Sequence, residues 1–418
     1  MDSFYARLEE AVGGRAVAIR VRTRLTPAGG AHEKVFPPTY QGGRYALEKR
    51  LVDGKAVDVV LLDSVASQAN RMELALLAAW QRGSLRFPLL SVDFGTWEDL
   101  PIRRITALEA PHRIADAVFR DSFLDGTAFR DSEPGRRFVA ARVANATAML
   151  ELCPTALIFG VWDSTGPLGG LGAKFQRALV SEIVGFDAVV GVRTASRVDP
   201  LPIRAEVPVY QAEPGQGAPY GWTVESSKAQ RDAKGVEKPF RKKGKASELN
   251  LGNVTPDLVR EERGNEPLPG GVTISHAEQT TLLSLVALRR LGFPKPATGE
   301  RSPEADLAAQ TLLASLSLAA VVHQRQEGYD LRSRCLLLPD DPQVFEFLGP
   351  DGNLIDTPVT LGVEESVNVF EDAVRRVREV GLPWPTRGEE EIRLTPSEEL
   401  VQLIRLSMQR GTLSEGEE

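Results

Sequence analysis

The chain has 418 residues, 42% of them apolar and 26% charged, and a net charge of −7. This composition excludes wholesale disorder and suffices for one large hydrophobic core or two smaller ones. The two cysteines, Cys153 and Cys335, are too few for a disulfide framework or a cysteine zinc site. Because the sequence shows neither a secretory N-terminus nor an apolar run of membrane-helix length, we expect a soluble cytoplasmic protein.

The first predicted element is a strand at Ala16–Leu25. Aliphatic residues alternate there with Arg20, Arg22 and Arg24, and a period of two places the two sets on opposite faces. We therefore expect one face to pack and the arginine face to meet solvent or an anion. After a loop rich in proline and glycine, an apolar strand at Val57–Leu62 leads into the next helix.

This helix is predicted to follow Ser64 and to end near Arg82. Its apolar stripe consists of Val65, Ala69, Met72, Leu76 and Trp80. Ser64, Ser67, Gln68 and Arg71 lie within an arc on the opposite side, close to the helix N-terminus, where free N–H groups and the dipole favour an anion. The pattern is also that of a capped amphipathic helix with a solvated polar face, which is the reading that helix geometry alone favours.

A second strand, loop and helix are predicted at Ala156–Trp162, Gly166–Gly172 and Ala173–Gly185. Lys174 and Arg177 then lie at the helix start, beside a glycine-rich loop. The spacing matches neither a Walker loop nor a dinucleotide fingerprint. The residues allow two interpretations. The segment binds phosphate through backbone amides and these two cations, or it is a plain flexible loop.

A further strand at Ala188–Arg193 is followed by a proline- and glycine-rich stretch, and we interpret residues 200–270 as an insertion that protrudes from the core. Arg193 and Arg197 bracket the strand end. Between Lys228 and Lys245, eight basic residues face two acidic ones, a local charge of +6 in a chain that is otherwise acidic. This basic window is either a solvated mobile loop or an RNA-contacting finger. Its candidate RNA contacts are Lys238, Arg241, Lys242, Lys243 and Lys245.

The rest of the chain alternates between helices and strands. Helices are predicted at Ser275–Leu291 and Glu304–Gln326 and near 363–380 and 396–409, and strands at Leu331–Leu338 and Val344–Leu348. This mixture indicates an α+β fold with an antiparallel sheet covered by helices on one side.

No motif points to catalysis or metal binding. The four histidines are far apart in sequence, and neither H-E-x-x-H nor G-x-S-x-G occurs. Asp63 and Asp163 each end an apolar strand, yet each is followed by serine, which favours a strand-end or helix-cap role. We therefore expect no catalytic residue, no metal and no cofactor.

Four collinear strings are specific enough to identify a family. They are DSVASQANRMELAL (63–76), LIFGVWDSTGPLGGLGAKFQRALVSEIVGFDAV (157–189), GKASELNLGNVTP (244–256) and GGVTISHAEQTTLLSLVALRRLGF (270–293). They resemble the RAMP-superfamily backbone subunit of type I CRISPR surveillance complexes (Cascade), and the closest subtype is I-G, formerly I-U. The resemblance covers most of residues 15–340.

This resemblance implies an RRM-like (ferredoxin-like) palm with helical additions and an inserted thumb. The implied division is residues 1–199 and 271–385 for the palm, 200–270 for the thumb, and 386–418 for a C-terminal helix and acidic tail. Backbone subunits commonly carry a Ser-Gln-x-x-basic signature at the first palm helix that grips the guide RNA, and Ser67, Gln68 and Arg71 match it. Since aromatic RNP motifs are lacking, we expect binding through phosphates and shape.

The implied function is a non-catalytic subunit that forms a helical filament along CRISPR guide RNA in antiviral defence. The implied partners are the guide, target DNA paired to it, further copies of the chain, a large subunit and a guide-end-capping subunit, with no membrane. The alternative is a type III-like backbone subunit that cleaves RNA with a metal and a loop aspartate, but loop 26–45 offers only Glu33 beside His32. A nucleotide-binding enzyme that uses residues 166–177 is disfavoured because the phosphate motif fails.

Overall fold

The computed structural model of the chain describes residues 3–166, 172–260, 266–296 and 298–414. Helices and strands alternate along these residues, and the main sheet is curled and antiparallel. The predicted α+β class is therefore confirmed. The helices are α1 (Phe4–Gly13), α2 (Val65–Arg82), α3 (Ala117–Arg120), α4 (Glu133–Ala140), α5 (Thr147–Leu152), α6 (Pro154–Phe159), α7 (Leu285–Arg289), α8 (Pro303–Glu327), α9 (Val363–Glu379) and α10 (Glu398–Ser414).

The main sheet has nine strands. They are β1 (Ala18–Pro27), β2 (Leu47–Val52), β3 (Lys55–Asp63), β10 (Leu179–Phe186), β17 (His276–Ser284), β18 (Tyr329–Asp330), β19 (Leu336–Pro339), β20 (Val344–Leu348) and β21 (Val359–Thr360). Their order is β18-β19-β1-β17-β10-β3-β2, with β20 also on β1 and β21 on β20. The register places Arg22 opposite Thr280 and Glu182 opposite the same Thr280, so β17 lies between β1 and β10.

Buried and exposed side chains alternate along β1, as the sequence predicts. Ile19, Val21 and Leu25 are buried, whereas Arg22 and Arg24 are exposed on the other face. The predicted helix α2 also forms, with Ser64 as its N-cap and a left-handed Gly83 as its C-cap. Helices α2 and α8 lie on the buried face of the sheet, because side chains of both bond to Gln279 of β17.

Helix α8 forms the centre of the helical layer and packs against α1, α2 and α9. By length and composition it could cross a membrane, but 89% of its most apolar 18-residue window is buried inside the protein. It is therefore built like the core helix of a soluble protein. On the strand side, apolar residues such as Leu25, Leu62 and Ile183 continue this core.

Three predicted elements are wrong. Residues 156–159 of the predicted strand Ala156–Trp162 belong to α6, and only β8 (Val161–Trp162) is a strand there. The predicted helix Ala173–Gly185 is instead β9 (Lys174–Phe175), which pairs with β8, followed by β10. The predicted helix Ser275–Leu291 is β17 followed by the short α7. In the second and third cases, pairing with other strands outweighs the local helical pattern.

A second sheet has five strands, none of which the sequence pattern predicts. Its strands are β4 (Leu89–Asp93), β5 (Arg104–Thr106), β6 (Ser122–Leu124), β7 (Thr127–Ala128) and β22 (Glu391–Pro396). They follow the order β5-β4-β22-β6-β7, and β22 runs parallel to β4. The segment after residue 386 thus contributes a strand before the predicted C-terminal helix α10.

The chain divides into two compact units. Unit 1 comprises Met1–Pro38, Tyr45–Val189 and Val272–Val401, and unit 2 comprises Thr39–Arg44, Val190–Gly271 and Gln402–Glu418. Residues 200–270, the predicted insertion, fall inside unit 2. Its strand pairs are β11 (Val189–Val192) with β16 (Pro269–Thr273), β12 (Thr194–Arg197) with β15 (Val254–Leu258), and β13 (Tyr210–Gln211) with β14 (Trp222–Thr223).

Candidate nucleic-acid interface

The arginine face of β1 is less basic than the sequence suggests. Arg20 Nε lies 2.7 Å from Glu346 Oε2 on β20, and Arg24 Nε lies 3.4 Å from Asp340 Oδ2. Arg22 is exposed and forms no ion pair within the part of the chain that the structure describes. Of the three predicted contacts, Arg22 is therefore the one whose charge is not already matched by a carboxylate.

The predicted signature residues converge on a buried carboxylate. Asp63 ends β3 with no exposed surface, and its Oδ1 accepts a hydrogen bond from Ser67 Oγ at 2.7 Å. Its Oδ2 accepts hydrogen bonds from Gln68 Nε2 at 2.6 Å and from Arg71 Nε at 2.9 Å. Ser64 caps the helix by accepting the N–H of Ser67. The signature thus joins the start of α2 to the end of β3.

Arg332, which the sequence does not single out, completes this Asp63 cluster (Asp63, Ser67, Gln68, Arg71 and Arg332). Its NH2 group lies 3.3 Å from Asp63 Oδ1, and its NH1 group donates to the carbonyl of Leu62. Arg71 also donates to the carbonyls of Asp330 and Leu331. Both arginine side chains keep about a quarter of their surface exposed. The cluster therefore carries two cations for one anion beside a helix N-terminus.

Gln68 is placed differently from the predicted solvated arc. Its side chain is wholly buried, and its Oε1 accepts hydrogen bonds from Gln279 Nε2 at 2.7 Å and from Ser181 Oγ at 3.1 Å. Gln279 also donates to Gln324 of α8. With no exposed surface, the Gln68 amide is not presented to a ligand. Its contacts position α2 on the sheet.

The side chains of the predicted RNA contacts Lys174 and Arg177 lie in different environments. Lys174 is exposed on β9, and its Nζ lies 4.9 Å from the ring centroid of Trp162. Arg177 is half-buried and donates from Nε to the carbonyl of Phe159. Burial, and then the nearby Arg113 cation, lower the pKa of Arg177. Residues 167–171 of the predicted glycine-rich loop lie outside the described residues. The expectation that Lys174 and Arg177 start a helix is wrong.

A buried ion pair lies beside Arg177. Glu73 of α2 accepts hydrogen bonds from Nε and NH2 of Arg113 at 2.6 and 2.7 Å. Burial raises the pKa of Glu73 to about 7, although Arg113 opposes this rise. Removing a charge pair from water is costly, so such a pair needs this bidentate geometry to persist.

Asp163, the second strand-end carboxylate, is also buried. Arg130 donates to its two oxygens at 2.8 and 2.7 Å. A Cβ at Gly166 would collide with both members of this pair, and one at Gly172 would collide with the Asp163 carbonyl. The two described ends of the glycine-rich loop therefore pack closely against Asp163. Asp163 directly follows β8, which agrees with the strand-end alternative of the prediction, and it caps no helix among the described residues.

Unit 2 presents the largest set of unpaired cations among the predicted contacts. Four exposed lysines form no ion pair within the described residues, and we call them the lysine patch: Lys238, Lys242, Lys243 and Lys245. Arg241 is exposed and donates to the carbonyl of Glu248, whose carboxylate accepts the N–H of Lys243. By contrast, Lys228 and Arg231 pair with Glu225 and Glu237. The patch thus has positive charge that the protein leaves largely unmatched.

The remaining predicted contacts also lie in unit 2. Arg193 is exposed and forms no ion pair among the described residues. Arg197 instead donates to the carbonyls of Gly252 and Leu251 at 2.8 and 2.9 Å, which ties β12 to the start of β15. Arg193 is therefore free for an anion, whereas Arg197 has a structural role.

A mixed α+β protein with a helix-backed antiparallel sheet and a lysine-rich inserted unit is the class that these observations define. Within it, residues 19–190 match the family model for CRISPR-associated protein GSU0053. Over that stretch the match supports the resemblance to a CRISPR Cascade subunit, whereas the subtype stays a prediction. No curated protein matches the chain.

Proposed function

We propose that the chain is a non-catalytic backbone subunit that binds CRISPR guide RNA and assembles in several copies along it. The family match supports the CRISPR context. The finer role depends on the fold and on the charges of the described residues. The subunit would hold the guide for pairing with target DNA, beside a large subunit and a subunit that caps the guide end.

The order of elements supports a palm of the ferredoxin-like type. In chain order, and with other elements between them, β1, α2, β10, β17, α8 and β20 give the pattern β-α-β-β-α-β. In the sheet, β20, β1, β17 and β10 are neighbours in that order. The β2–β3 hairpin extends the sheet beyond β10. An RRM-like palm of this kind would bind RNA on a sheet face or at its edges.

The lysine patch carries the proposal. Its four side chains are exposed and lack ion-pair partners among the described residues, so they can neutralise phosphates without first breaking an internal bond. Lysine binds phosphate as a point charge and does not read base edges. A guide-binding subunit must accept any spacer sequence, and this chemistry meets that requirement.

Salt-dependent RNA binding tests the proposal. Wild-type protein should bind single-stranded RNA with an affinity that falls as salt rises, at a slope of about −0.7 per phosphate contact. Replacing the four patch lysines by glutamine should reduce that slope by up to about 3. As a control, the exchange Arg231→Glu with Glu237→Arg conserves charge in the same unit and should leave the slope unchanged.

Three results would contradict the proposal. An unchanged salt slope in the quadruple glutamine variant would exclude the patch as a phosphate-binding surface. Cleavage of labelled RNA by the purified protein with divalent metal would contradict the non-catalytic role and favour the type III-like alternative. A strong preference for one spacer sequence among guides of equal length would contradict binding through phosphates.

A further inference from the structure

A cleft of about 280 Å³ opens beside Trp162 in unit 1. Its walls come from the β8–β9 hairpin, from α6 and from α7. Leu157, Phe175 and Leu291 are buried and give the cleft an apolar interior. Its volume is just below the range of about 300–1,000 Å³ for small-ligand sites, so it has room for one small group.

Trp162 is the exposed wall of this cleft. Its side chain is 53% exposed, although indole is among the most costly groups to leave in water. Lys174 lies over the indole ring at 4.9 Å from the centroid, as in a cation–π contact. An exposed indole beside an apolar cleft offers a stacking surface for a flat ligand.

The charged groups that line the cleft are both cations. Lys174 and Arg290 are exposed, and no carboxylate is among the described residues that line it. Arg290 contacts Gln176 Oε1 at 3.3 Å and forms no ion pair within the described ranges. The site therefore suits a ligand with a flat apolar body and adjacent negative charge. A nucleotide combines these two properties, whereas an apolar protein side chain supplies only the first.

We propose that this cleft holds one unstacked base of a single-stranded RNA. The base stacks on Trp162, and the flanking phosphates contact Lys174 and Arg290. The inference rests on the proposed function and adds base stacking to the expected phosphate contacts. Since every base has a π face, such stacking is indifferent to sequence and remains compatible with any guide.

Two probes test the inference at fixed salt: a short oligouridylate and a ribose-phosphate chain of the same length without bases. Trp162→Ala should weaken binding of the oligouridylate by about 5- to 150-fold and leave binding of the base-free chain unchanged. Trp162→Phe keeps a ring and should remain within a few-fold of wild type, which separates loss of stacking from loss of fold. Leu74→Ala removes an equally exposed side chain outside the cleft and should have no effect.

The outcomes separate this inference from the proposed function. If Trp162→Ala binds oligouridylate as wild type does, while wild type keeps its salt-dependent RNA binding, the base site is wrong and the proposed function stands. If the variant keeps its RNA affinity but loses self-association, the cleft holds protein and the base site is again wrong. If wild type binds neither probe at low salt, the proposed function itself fails.

Discussion

Arg71 Nε donates a hydrogen bond to Asp63 Oδ2 across 2.9 Å, and the Asp63 side chain has no exposed surface. A buried carboxylate is stable only when its oxygens accept hydrogen bonds or meet a cation. Ser67, Gln68 and Arg332 supply three further donors to the same carboxylate. Arg71 therefore helps to hold the junction of β3, α2 and the loop after β18, in addition to any contact with RNA.

We expect Arg71→Ala to lower the free energy of unfolding by about 1–3 kcal/mol, because it leaves a buried carboxylate short of a donor. The position of Arg71 opposite the apolar stripe predicts weaker RNA binding with little change in fold, whereas its bonds to Asp63 lead us to expect a loss of stability as well. Chemical denaturation checks the value, with the exposed Arg22→Ala as the matched control. The double variant Asp63→Asn/Arg71→Ala should lose less stability than the sum of the losses in the two single variants, because the two side chains share one hydrogen bond. Wild-type stability in Arg71→Ala would contradict this role.

The Glu73–Arg113 pair predicts a pH dependence of stability. The pKa of Glu73 is raised to about 7 by burial, against 4.5 for an ordinary glutamate. Between these values the folded protein holds a proton that the unfolded chain releases. The contribution of this group is thus present in full below the unfolded pKa and is lost as pH rises through 7, by up to about 3 kcal/mol.

Glu73→Gln should reduce the fall in unfolding free energy between about pH 5 and about pH 8. Because the glutamine amide mimics the protonated Glu73 that the folded protein holds at about pH 5, the variant should be close to wild type there and no less stable than wild type at about pH 8. Glu98→Gln, at an exposed position, serves as the control and should keep the wild-type profile. A Glu73→Gln profile that parallels wild type would contradict the shifted titration.

Gly166 should not tolerate a side chain. A Cβ there would collide with Asp163 and Arg130, whose bidentate pair is buried. Gly166→Ala should therefore separate the pair and lower the free energy of unfolding by about 1–3 kcal/mol, as overpacking does. At Gly362 a Cβ has open space, so Gly362→Ala is the control and should cost less. Equal denaturation midpoints for the two variants would contradict this account.

The spacing of apolar residues was sufficient to predict β1, α2 and α8. In each of these segments the spacing fits only one type of secondary structure. It failed at residues 173–185 and 275–291, because both segments have the leucine and alanine spacing of a helix. Their strands β10 and β17 pair with each other, and β17 also pairs with β1, more than 250 residues earlier in sequence. Sequence periodicity does not contain such distant pairings.

The same limit applies to the candidate site. Ser67, Gln68 and Arg71 were identified from one helix, but Arg332 joins them from 269 residues beyond Asp63. The available signal was Asp63 itself, a carboxylate at the end of an apolar strand that needs donors. On the sheet face, the exposure of Arg22 and Arg24 was correct and Arg20 is half-buried. The pairing of Arg20 with Glu346 and of Arg24 with Asp340 depends on strand neighbours that the sequence does not specify.

The three arginines of β1 should differ in their effect on RNA affinity. A charge-assisted contact is worth about 1.5–3 kcal/mol, and Arg22 can form one without losing a carboxylate partner. We expect Arg22→Ala to weaken RNA binding at fixed salt more than Arg20→Ala or Arg24→Ala. Filter binding or fluorescence anisotropy measures the difference. Equal losses for Arg20→Ala and Arg22→Ala would show that internal pairing does not determine which arginine contacts RNA.

The basic window of unit 2 should serve assembly along RNA more than folding. Among the described residues of 200–260, the buried apolar side chains are few and small. They are Val209, Ala212, Ala229 and Ala246. Backbone bonds hold the window instead: Val209 N donates to Gly244 O at 2.8 Å and Gln211 N to Lys238 O at 3.0 Å. Deleting residues 228–245 would remove these partners together with the charge.

Deletion and charge neutralisation should therefore give different results. The deletion should make unit 2 sensitive to protease and abolish long RNA-bound assemblies, whereas glutamine at the four patch lysines should abolish the assemblies alone. Limited proteolysis reports the first effect, and the size of particles formed on RNAs of increasing length reports the second. Both variants should keep the thermal transition of unit 1, whose core lies elsewhere in the sequence. If particles of wild-type size form with the glutamine variant, the patch has no role in assembly, and the thumb proposal is wrong.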